Sequence, residues 1–488
     1  PDAGFSPRNT QYAYNLDRQL TLVTRPDGQT IQLTYDPTKG RLTTLTLPGS
    51  QTLSYGYDPS KGTLTNITGA NSTLNYAYDG ALLTQTSWSG LVNGSVARTY
   101  DNNFRIATQS INGANSISFG YDTDSLLTSA GSLLITRHPS HGLITGTSLG
   151  TVTDARSYTT FGELGSYTAN VSGSPVFSTT YTRDKLGRII QKQETIQGVT
   201  DTYAYAYWPR GPLKEVKKNG VVTATYTYDS NGNRTSLVTS GVTTTGTYDT
   251  QDRLMAYGTV SYTYSTNGDR QTKTVGGQTT MSLYDVLGNL KTVALPGGTT
   301  LEYGVDGQNR RIGKGINGTL TQGFLYQNQL NPVAELDGSG NVVSRFVYGT
   351  KANVPDYMVK GGVTYRILSD HLGSPRLVIN TATGAVAQRL DYDEFGNITQ
   401  DTNPGFHPFG FAGGLHDSQT GLTRFGVRDY DAQAGRWTAK DPIRFGGDGV
   451  NLYGYVFNNP INYYDNEGEG PKGAAIGGLL GGAIGGTT

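Results

Sequence analysis

The stretch Tyr226-Thr-Tyr-Asp-Ser-Asn-Gly-Asn-Arg234 sets the reading of the whole chain. Tyr226 and Tyr228 are two residues apart, so on a strand they share one face while the threonines take the other. Asn231-Gly232 supplies the positive φ of a tight hairpin, and a second strand follows through Leu237 and Val238. The aspartate after the tyrosine reads as a turn residue that bonds nearby backbone amides. The phrase recurs at Tyr35-Asp36, Tyr57-Asp58, Tyr78-Asp79, Tyr100-Asp101 and Tyr121-Asp122, with spacings of 22, 21, 22 and 21. It resumes at Tyr228-Asp229, Tyr248-Asp249 and Tyr284-Asp285, and again at Tyr392-Asp393. A fixed period of this size means one supersecondary unit stacked many times.

Outward from the phrase, turn dipeptides punctuate short Tyr- and Thr-rich runs: Asp27-Gly28, Asn112-Gly113, Asn219-Gly220, Asn267-Gly268, Asn317-Gly318 and Asp337-Gly338. Strands of five to eight residues alternating with such turns predict an all-β fold, and helical periodicity is close to absent. One hairpin cannot bury its aromatic face alone, so the units stack into a long ribbon able to curl and shed its edges. Between about 130 and 200 the phrase degrades (Tyr158-Thr-Thr-Phe-Gly162, Tyr181-Thr-Arg-Asp-Lys-Leu-Gly-Arg188), which reads as variation within the array.

The bulk numbers bound the function. The 488 residues carry 38 basic and 38 acidic side chains, and this neutral balance argues against nucleic acid or an anionic membrane as partner of the array. There is no cysteine, which removes disulfides and thiol nucleophiles. No run of about 18 apolar residues predicts a membrane span. The sequence opens at Pro1 without a signal peptide and reads as a piece of a longer polypeptide.

After about residue 400 the repetition stops. The Tyr-Asp-x-x-Gly-Arg and Tyr-Asp-x-x-Gly-Asn phrases resemble the YD or RHS repeats of bacterial polymorphic toxins, related to those of Tc toxin C components and teneurins. An ordered run of about 100 residues resembles the RHS-associated core domain. It comprises Ser369-Asp-His-Leu-Gly-Ser-Pro-Arg376, Tyr392-Asp-Glu-Phe-Gly396, Thr420-Gly-Leu-Thr-Arg-Phe-Gly-Val-Arg-Asp-Tyr-Asp431, Gly435-Arg-Trp437, Lys440-Asp-Pro-Ile443 and Asn451-Leu-Tyr-Gly-Tyr-Val-Phe-Asn-Asn-Pro460. The resemblance implies a hollow shell over 1–365, a core domain over 366–469 that plugs it, and the Gly-rich start of a truncated toxin region over 470–488. It implies a secreted effector, made in the cytoplasm and exported by a type VI or Tc-like route. Its partners would be its own C-terminal toxin domain as encapsulated cargo, with a secretion-apparatus component or an N-terminal plug or chaperone. No cofactor or metal is expected.

The resemblance also implies a self-cleaving aspartic peptidase built on two Asp-Pro-x-Gly phrases and an upstream arginine. Carried over, the acids are Asp441 and Asp465 and the arginine is Arg428, with Arg436 as the weaker candidate. Arg444 stands where the family has its first glycine, and Asn466 where it has its second proline; both acids and Gly468 are kept. Cutting is expected in the segment Gly468, Glu469, Gly470, Pro471, Lys472, with Glu469–Gly470 as the single best bond. The chemistry is sound on its own terms: two carboxyl groups sharing a proton supply a base and an acid. A tethered scissile bond lets positioning replace a substrate pocket, with effective molarities of roughly 10⁵ M or more.

The bland alternative is that Asp-Pro makes a turn and the Asp–Arg contact is a buried ion pair. Asp417, Asp429, Asp431 and Asp448 read as turn or surface groups, and His138, His141, His371, His407 and His416 show no ligand spacing for zinc. The aromatics Phe406, Phe409, Phe411, Phe425, Trp437, Phe445 and Phe457 read as core packing. The glycine-rich run Gly473 to Gly486 reads as a flexible linker, in preference to the alternative of a glycine-zipper helix. The rival functions are a non-catalytic structural or adhesive β-scaffold and a glycan-binding surface protein.

Overall fold

The computed structural model describes residues 9–446 and 449–473. The glycine-rich run beyond Gly473 and Asp448 lie outside the described residues. Within them no α-helix forms; the helical pieces are three-residue 3-10 turns such as Pro48–Ser50. Strands from Gln11–Tyr14 to Ile398–Asp401 belong to one 38-stranded antiparallel sheet, in which each strand pairs with its neighbours in sequence.

The repeat phrase shows how one unit forms. Val221–Tyr228 pairs with Arg234–Thr239, matching Tyr226 to Leu237 and Thr227 to Ser236. Ala224 and Tyr226 are buried and Thr227 is exposed, the alternation that a half-buried strand requires. Asp229 Oδ1 accepts hydrogen bonds from the amides of Asn231 and Asn233, both at 2.9 Å. Gly232 closes the loop at φ +80°, a conformation that costs other residues about 1 kcal/mol or more. A register shift falls immediately before the repeat tyrosine, here between Thr227 and Tyr228, and likewise before Tyr57, Tyr78, Tyr248 and Tyr284.

That bulge aims the tyrosine back at the preceding unit. The Tyr248 hydroxyl donates to the Arg234 carbonyl at 2.9 Å, and Tyr57 to Leu42, Tyr100 to Leu83, Tyr158 to Ile144 and Tyr326 to Arg311 do the same. The turn dipeptides, read as one kind, are of two kinds. Asn112-Gly113, Asn219-Gly220 and Asn317-Gly318 have both residues left-handed, as a two-residue hairpin needs. At Asp337-Gly338 the aspartate instead caps the amides of Ser339 and Asn341, and Gly340 takes the left-handed position.

The chain forms two compact units, Pro1–Ser116 with Val260–Val342, and Ile117–Thr259 with Val343–Thr488. In the first, Trp88 Nε1 donates to Asp306 Oδ2 at 3.1 Å and Asn267 Nδ2 to Asp27 Oδ2 at 2.8 Å. In the second, buried Arg366 pairs with Asp154 (2.9 Å) and Arg376 with Glu194 (2.6 Å). The second unit also holds a four-stranded sheet of Leu415–Asp417, Leu422–Phe425, Arg428–Asp431 and Arg436–Trp437, and the short pair Tyr463–Tyr464 with Lys472–Gly473.

Phe411, Phe425, Tyr430, Trp437 and Tyr455 form the apolar centre of this region, with the Tyr430 and Tyr455 rings 4.3 Å apart. Such pairs are each worth roughly 0.5–1.5 kcal/mol beyond the area they bury. Of the other expected packing aromatics, Phe409 and half-buried Phe406 pack in a separate cluster with Phe346 and Tyr365, whereas Phe445 is 71% exposed and Phe457 46%. Phe445 and Phe457 sit in short 3-10 turns, and the Phe457 ring lies edge-on to Tyr463 at 5.9 Å.

Candidate functional site

Arg428 opens the strand Arg428–Asp431 and is reached through a two-residue turn, since Phe425 pairs directly with Arg428. Gly426 in that turn has φ +45°, and a Cβ there would lie 2.1 Å from the Glu467 carbonyl oxygen. Only glycine therefore lets the Glu467 segment dock, and the Val427 amide fastens it by donating to that oxygen at 3.0 Å. The Arg428 guanidinium is buried, 4.1 Å from the Trp437 ring centroid, which holds its plane.

This guanidinium is the hub. Nη2 lies 2.9 Å from Asp441 Oδ2 and 3.3 Å from Asp465 Oδ2, so one nitrogen brings the two carboxylates together. Nε donates to the Gly468 carbonyl oxygen at 2.5 Å. Asp465 Oδ1 accepts the amides of Gly468 (2.8 Å) and Glu469 (3.2 Å), and Oδ2 accepts that of Gly470 (3.0 Å). Asp441 is divided in its work. Its Oδ1 accepts the Ile443 amide at 3.0 Å as a turn aspartate does, while Oδ2 is buried with no aligned hydrogen-bond donor among the described residues.

Electrostatics set these acids apart from the repeat aspartates. Hydrogen bonds from Thr38 and Lys39 hold Asp36 down at about 2, and similar turn bonds depress Asp58 and Asp337. Asp441 and Asp465 move the other way: burial pushes both up, opposed chiefly by Arg428. Glu469 is also raised, by burial and then by Glu467 and Asp465. Asp393 is raised too, by burial, but its carboxylate is bonded locally to Asn397 and Phe395.

All three sequence candidates thus meet: Arg428 and Asp465 hydrogen-bond the expected cleavage segment, and Asp441 joins them through the Arg428 guanidinium. Gly468 is buried, and Glu469, Gly470, Pro471 and Lys472 are half-buried. Lys472 Nζ meets Glu467 Oε1 at 2.5 Å, and Lys472 pairs with Tyr464, so the loop between them is closed on both sides. Arg436 is elsewhere, donating to the Asp252 carbonyl and stacking near Tyr453.

Asp429 is neither a turn nor a surface group: it is buried and paired with Arg424 at 3.0 Å. The two departures from the family pattern have local outcomes. Arg444 takes φ +56°, the glycine conformation itself, and Asn466 is buried with Oδ1 unpartnered. Among the described residues no group of three His, Cys, Asp or Glu could hold a metal ion. His371 Nε2 lies 2.9 Å from the Ile461 carbonyl, and burial pushes it down to about 4. Sequence reasoning missed Gly426, Glu467 and the Trp437 stack; the only signal was that Phe425-Gly-Val-Arg428 sits inside a recognised phrase.

A ribbon of stapled YD hairpins followed by a C-terminal region of short strands and turns defines an RHS or YD-repeat shell protein. The chain belongs to the teneurin YD-shell family, whose model matches residues 3–461. It is 28% identical to human Teneurin-4 over 417 residues, 81% of this chain and 15% of that protein. It is 27% identical to zebrafish (Danio rerio) Teneurin-3 over 477 residues, 93% of this chain and 17% of that protein. The tRNA3(Ser)-specific nuclease WapA of Bacillus spizizenii is 26% identical over 266 residues, 53% of this chain and 11% of that protein. The chain therefore spans about a sixth or less of the curated relatives it matches. Among solved structures, TcdB2-TccC3-TEV aligns with TM-score 0.78 at 17% identity, covering 94% of this chain and 27% of that one. The Photorhabdus luminescens Tc holotoxin pore aligns with TM-score 0.80 at 16% identity, covering 95% and 27%.

Proposed function

We propose that this chain is the encapsulating shell of an exported toxin, and that its C-terminal region cuts the chain once, behind itself, with Asp441 and Asp465. The observation that carries the reading is the Arg428 guanidinium, which touches both carboxylates and the backbone carbonyl of Gly468 together. An aspartic-type reaction needs one acid ionised and one protonated, and burial that raises both carboxyl groups favours a shared proton. The arginine keeps the ionised partner charged and oriented. The likeness to the Tc structures supports the shell, and a relative named as a tRNA nuclease illustrates the class of cargo. Export fits these relatives, and among the described residues no helix is long and apolar enough to cross a membrane. The type VI or Tc-like route, and a secretion component or chaperone as partner, belong to the proposal and rest on family likeness.

A second reading has one specific observation in its favour. Asp441 Oδ1 caps a turn and Asp465 accepts three amides, work that a purely structural plug would also need. Intact mass of the denatured chain separates the two. The shell-peptidase reading expects a break between Gly468 and Lys472 in the wild type and none in Asp441→Asn or Asp465→Asn. A full-length wild type leaves the structural plug; a break that persists in both variants rejects these acids.

A further inference from the structure

The phrase Ser369-Asp370-His-Leu-Gly373 is a repeat turn in which serine stands where Tyr228-Asp229 and Tyr392-Asp393 have tyrosine. The local structure is otherwise that of the repeat. Asp370 Oδ1 accepts the amides of Leu372 (3.0 Å) and Ser374 (2.9 Å), and the register shifts between Leu368 and Ser369. The change replaces a phenol with an aliphatic hydroxyl, and an amine lies beside it: Lys351 Nζ is 2.9 Å from Ser369 Oγ. A hydroxyl within hydrogen-bonding reach of a base, itself held in place by further groups, is the signature of an activated nucleophile. We propose that Ser369 is an acyl-accepting nucleophile with Lys351 as its general base, taking its acyl group from an activated ester or thioester.

The contacts of Lys351 suit a neutral amine, which has two N–H donors and one lone pair. Nζ meets the carbonyl oxygens of Ser369, at 3.5 Å, and of Asp370. Carbonyls only accept, so they take the two N–H groups and hold the nitrogen, while the Ser369 hydroxyl can donate to the lone pair. The surroundings favour this form. Burial is the largest influence and pushes Lys351 down to about 8; Asp370 and Asp356 oppose it, and Arg156 and Arg366 add to it. The two acids are committed elsewhere: Asp356 Oδ1 lies 3.1 Å from Arg366 Nη1, and Asp370 caps its own turn. His371, next in the phrase, is engaged through Nε2 with the Ile461 carbonyl at 2.9 Å. Arg156 Nη2 meets Thr350 Oγ1 at 3.3 Å, which sets a guanidinium one residue from the base, where positive charge favours an oxyanion. Ser369 and Lys351 are half-buried and Ala352 is exposed, so the pair borders solvent.

The step balances with the acyl donor alone. Ser369 Oγ bonds to the acyl carbon, and its proton passes to Lys351 Nζ. The carbonyl electron pair moves to the oxygen and returns as the bond to the leaving aryloxide or thiolate breaks. The leaving group keeps that bonding pair and takes the proton from Lys351. The products are an ester on Ser369, a neutral Lys351 amine and a free phenol or thiol. Neither Asp441 nor Asp465 takes part, so this activity stands or falls apart from self-cutting.

The test is to incubate the folded chain with p-nitrophenyl acetate at a series of pH values and locate the acetyl group by peptide mass spectrometry, beside Ser369→Ala and Lys351→Arg. The expected result is acetylation concentrated on Ser369, absent from Ser369→Ala, with a rate that rises through about pH 8 as Lys351 loses its proton and then levels. Lys351→Arg keeps charged donors for the two carbonyls but cannot take up a proton, so it should fold and label about a hundredfold more slowly. Labelling of Ser369 at the wild-type rate in Lys351→Arg makes the lysine a structural residue and overturns the proposal. So does acetyl spread over exposed lysines and serines with no preference for Ser369. Where Lys351→Arg fails to fold, the wild-type pH profile decides: a plateau above a midpoint near 8 supports the pair, and a rate that keeps climbing in proportion to hydroxide contradicts it.

Discussion

Arg444 and Asp441 meet in one short turn, and their backbones divide strain from function there. The Arg444 amide donates to the Asp441 carbonyl at 3.1 Å, and Arg444 holds φ +56°, where a Cβ is disfavoured by about 1–2 kcal/mol. The turn therefore keeps the shape a glycine would give it, which is why Asp441 still reaches Arg428. Relieving that strain is expected to raise stability: Arg444→Gly should raise the unfolding free energy by about 0.5–1 kcal/mol, after the flexibility of glycine is set against it, and so move the denaturant midpoint upward. An unchanged or lower midpoint would mean the arginine side chain supplies more than its backbone costs.

The candidate acids came from the resemblance of the surrounding phrases to the RHS-associated core domain, which pointed to Asp441, Asp465 and Arg428. What it left hidden was the division of labour within Asp441 and the docking of the Glu467 carbonyl on Gly426. These depend on a carboxylate's two oxygens and on the absence of a single carbon, which no pattern of residue types records. Asp429 shows the same limit in the other direction: its neighbours read as a turn, but its partner Arg424 is set by strand pairing, and the pair is buried.

At the scale of the strand and hairpin, alternation was enough to place Tyr226 inward and Thr227 outward. Local chemistry likewise gave the aspartate-capped loops. The staple that repeat tyrosines such as Tyr57, Tyr100 and Tyr248 make to the preceding unit was not legible, because it needs the register shift before the tyrosine, and a bulge follows from pairing. The staple should contribute about 1 kcal/mol net per unit, as one intramolecular hydrogen bond does. Tyr248→Phe, which removes only the hydroxyl bonded to Arg234, should lower stability by about that amount in chemical denaturation. A loss below about 0.3 kcal/mol would mean that water replaces the bond freely and that the repeat keeps tyrosine for its ring.

For the molecule as a whole, repetition made the fold readable: each unit contacts its neighbours, so one well-read hairpin stands for many. The two compact units each draw on separated stretches of chain, Pro1–Ser116 with Val260–Val342 and Ile117–Thr259 with Val343–Thr488. That grouping is set by contacts between distant strands, such as Arg366 with Asp154, and has no counterpart in the period of the phrase. The central claim concerns the second unit, that a folded chain cuts itself behind Asp465. Such a reaction is first order, because base, acid and bond belong to one chain.

The most direct measurement is therefore the rate of cutting as a function of concentration. Chain made by cell-free synthesis would be stopped, divided, diluted over a hundredfold range and followed by intact mass, with Asp441→Asn in parallel. The account predicts a single exponential whose rate is the same at every dilution and is absent from Asp441→Asn. A rate that falls in proportion to dilution, or a wild-type chain that stays whole while folded, would contradict it.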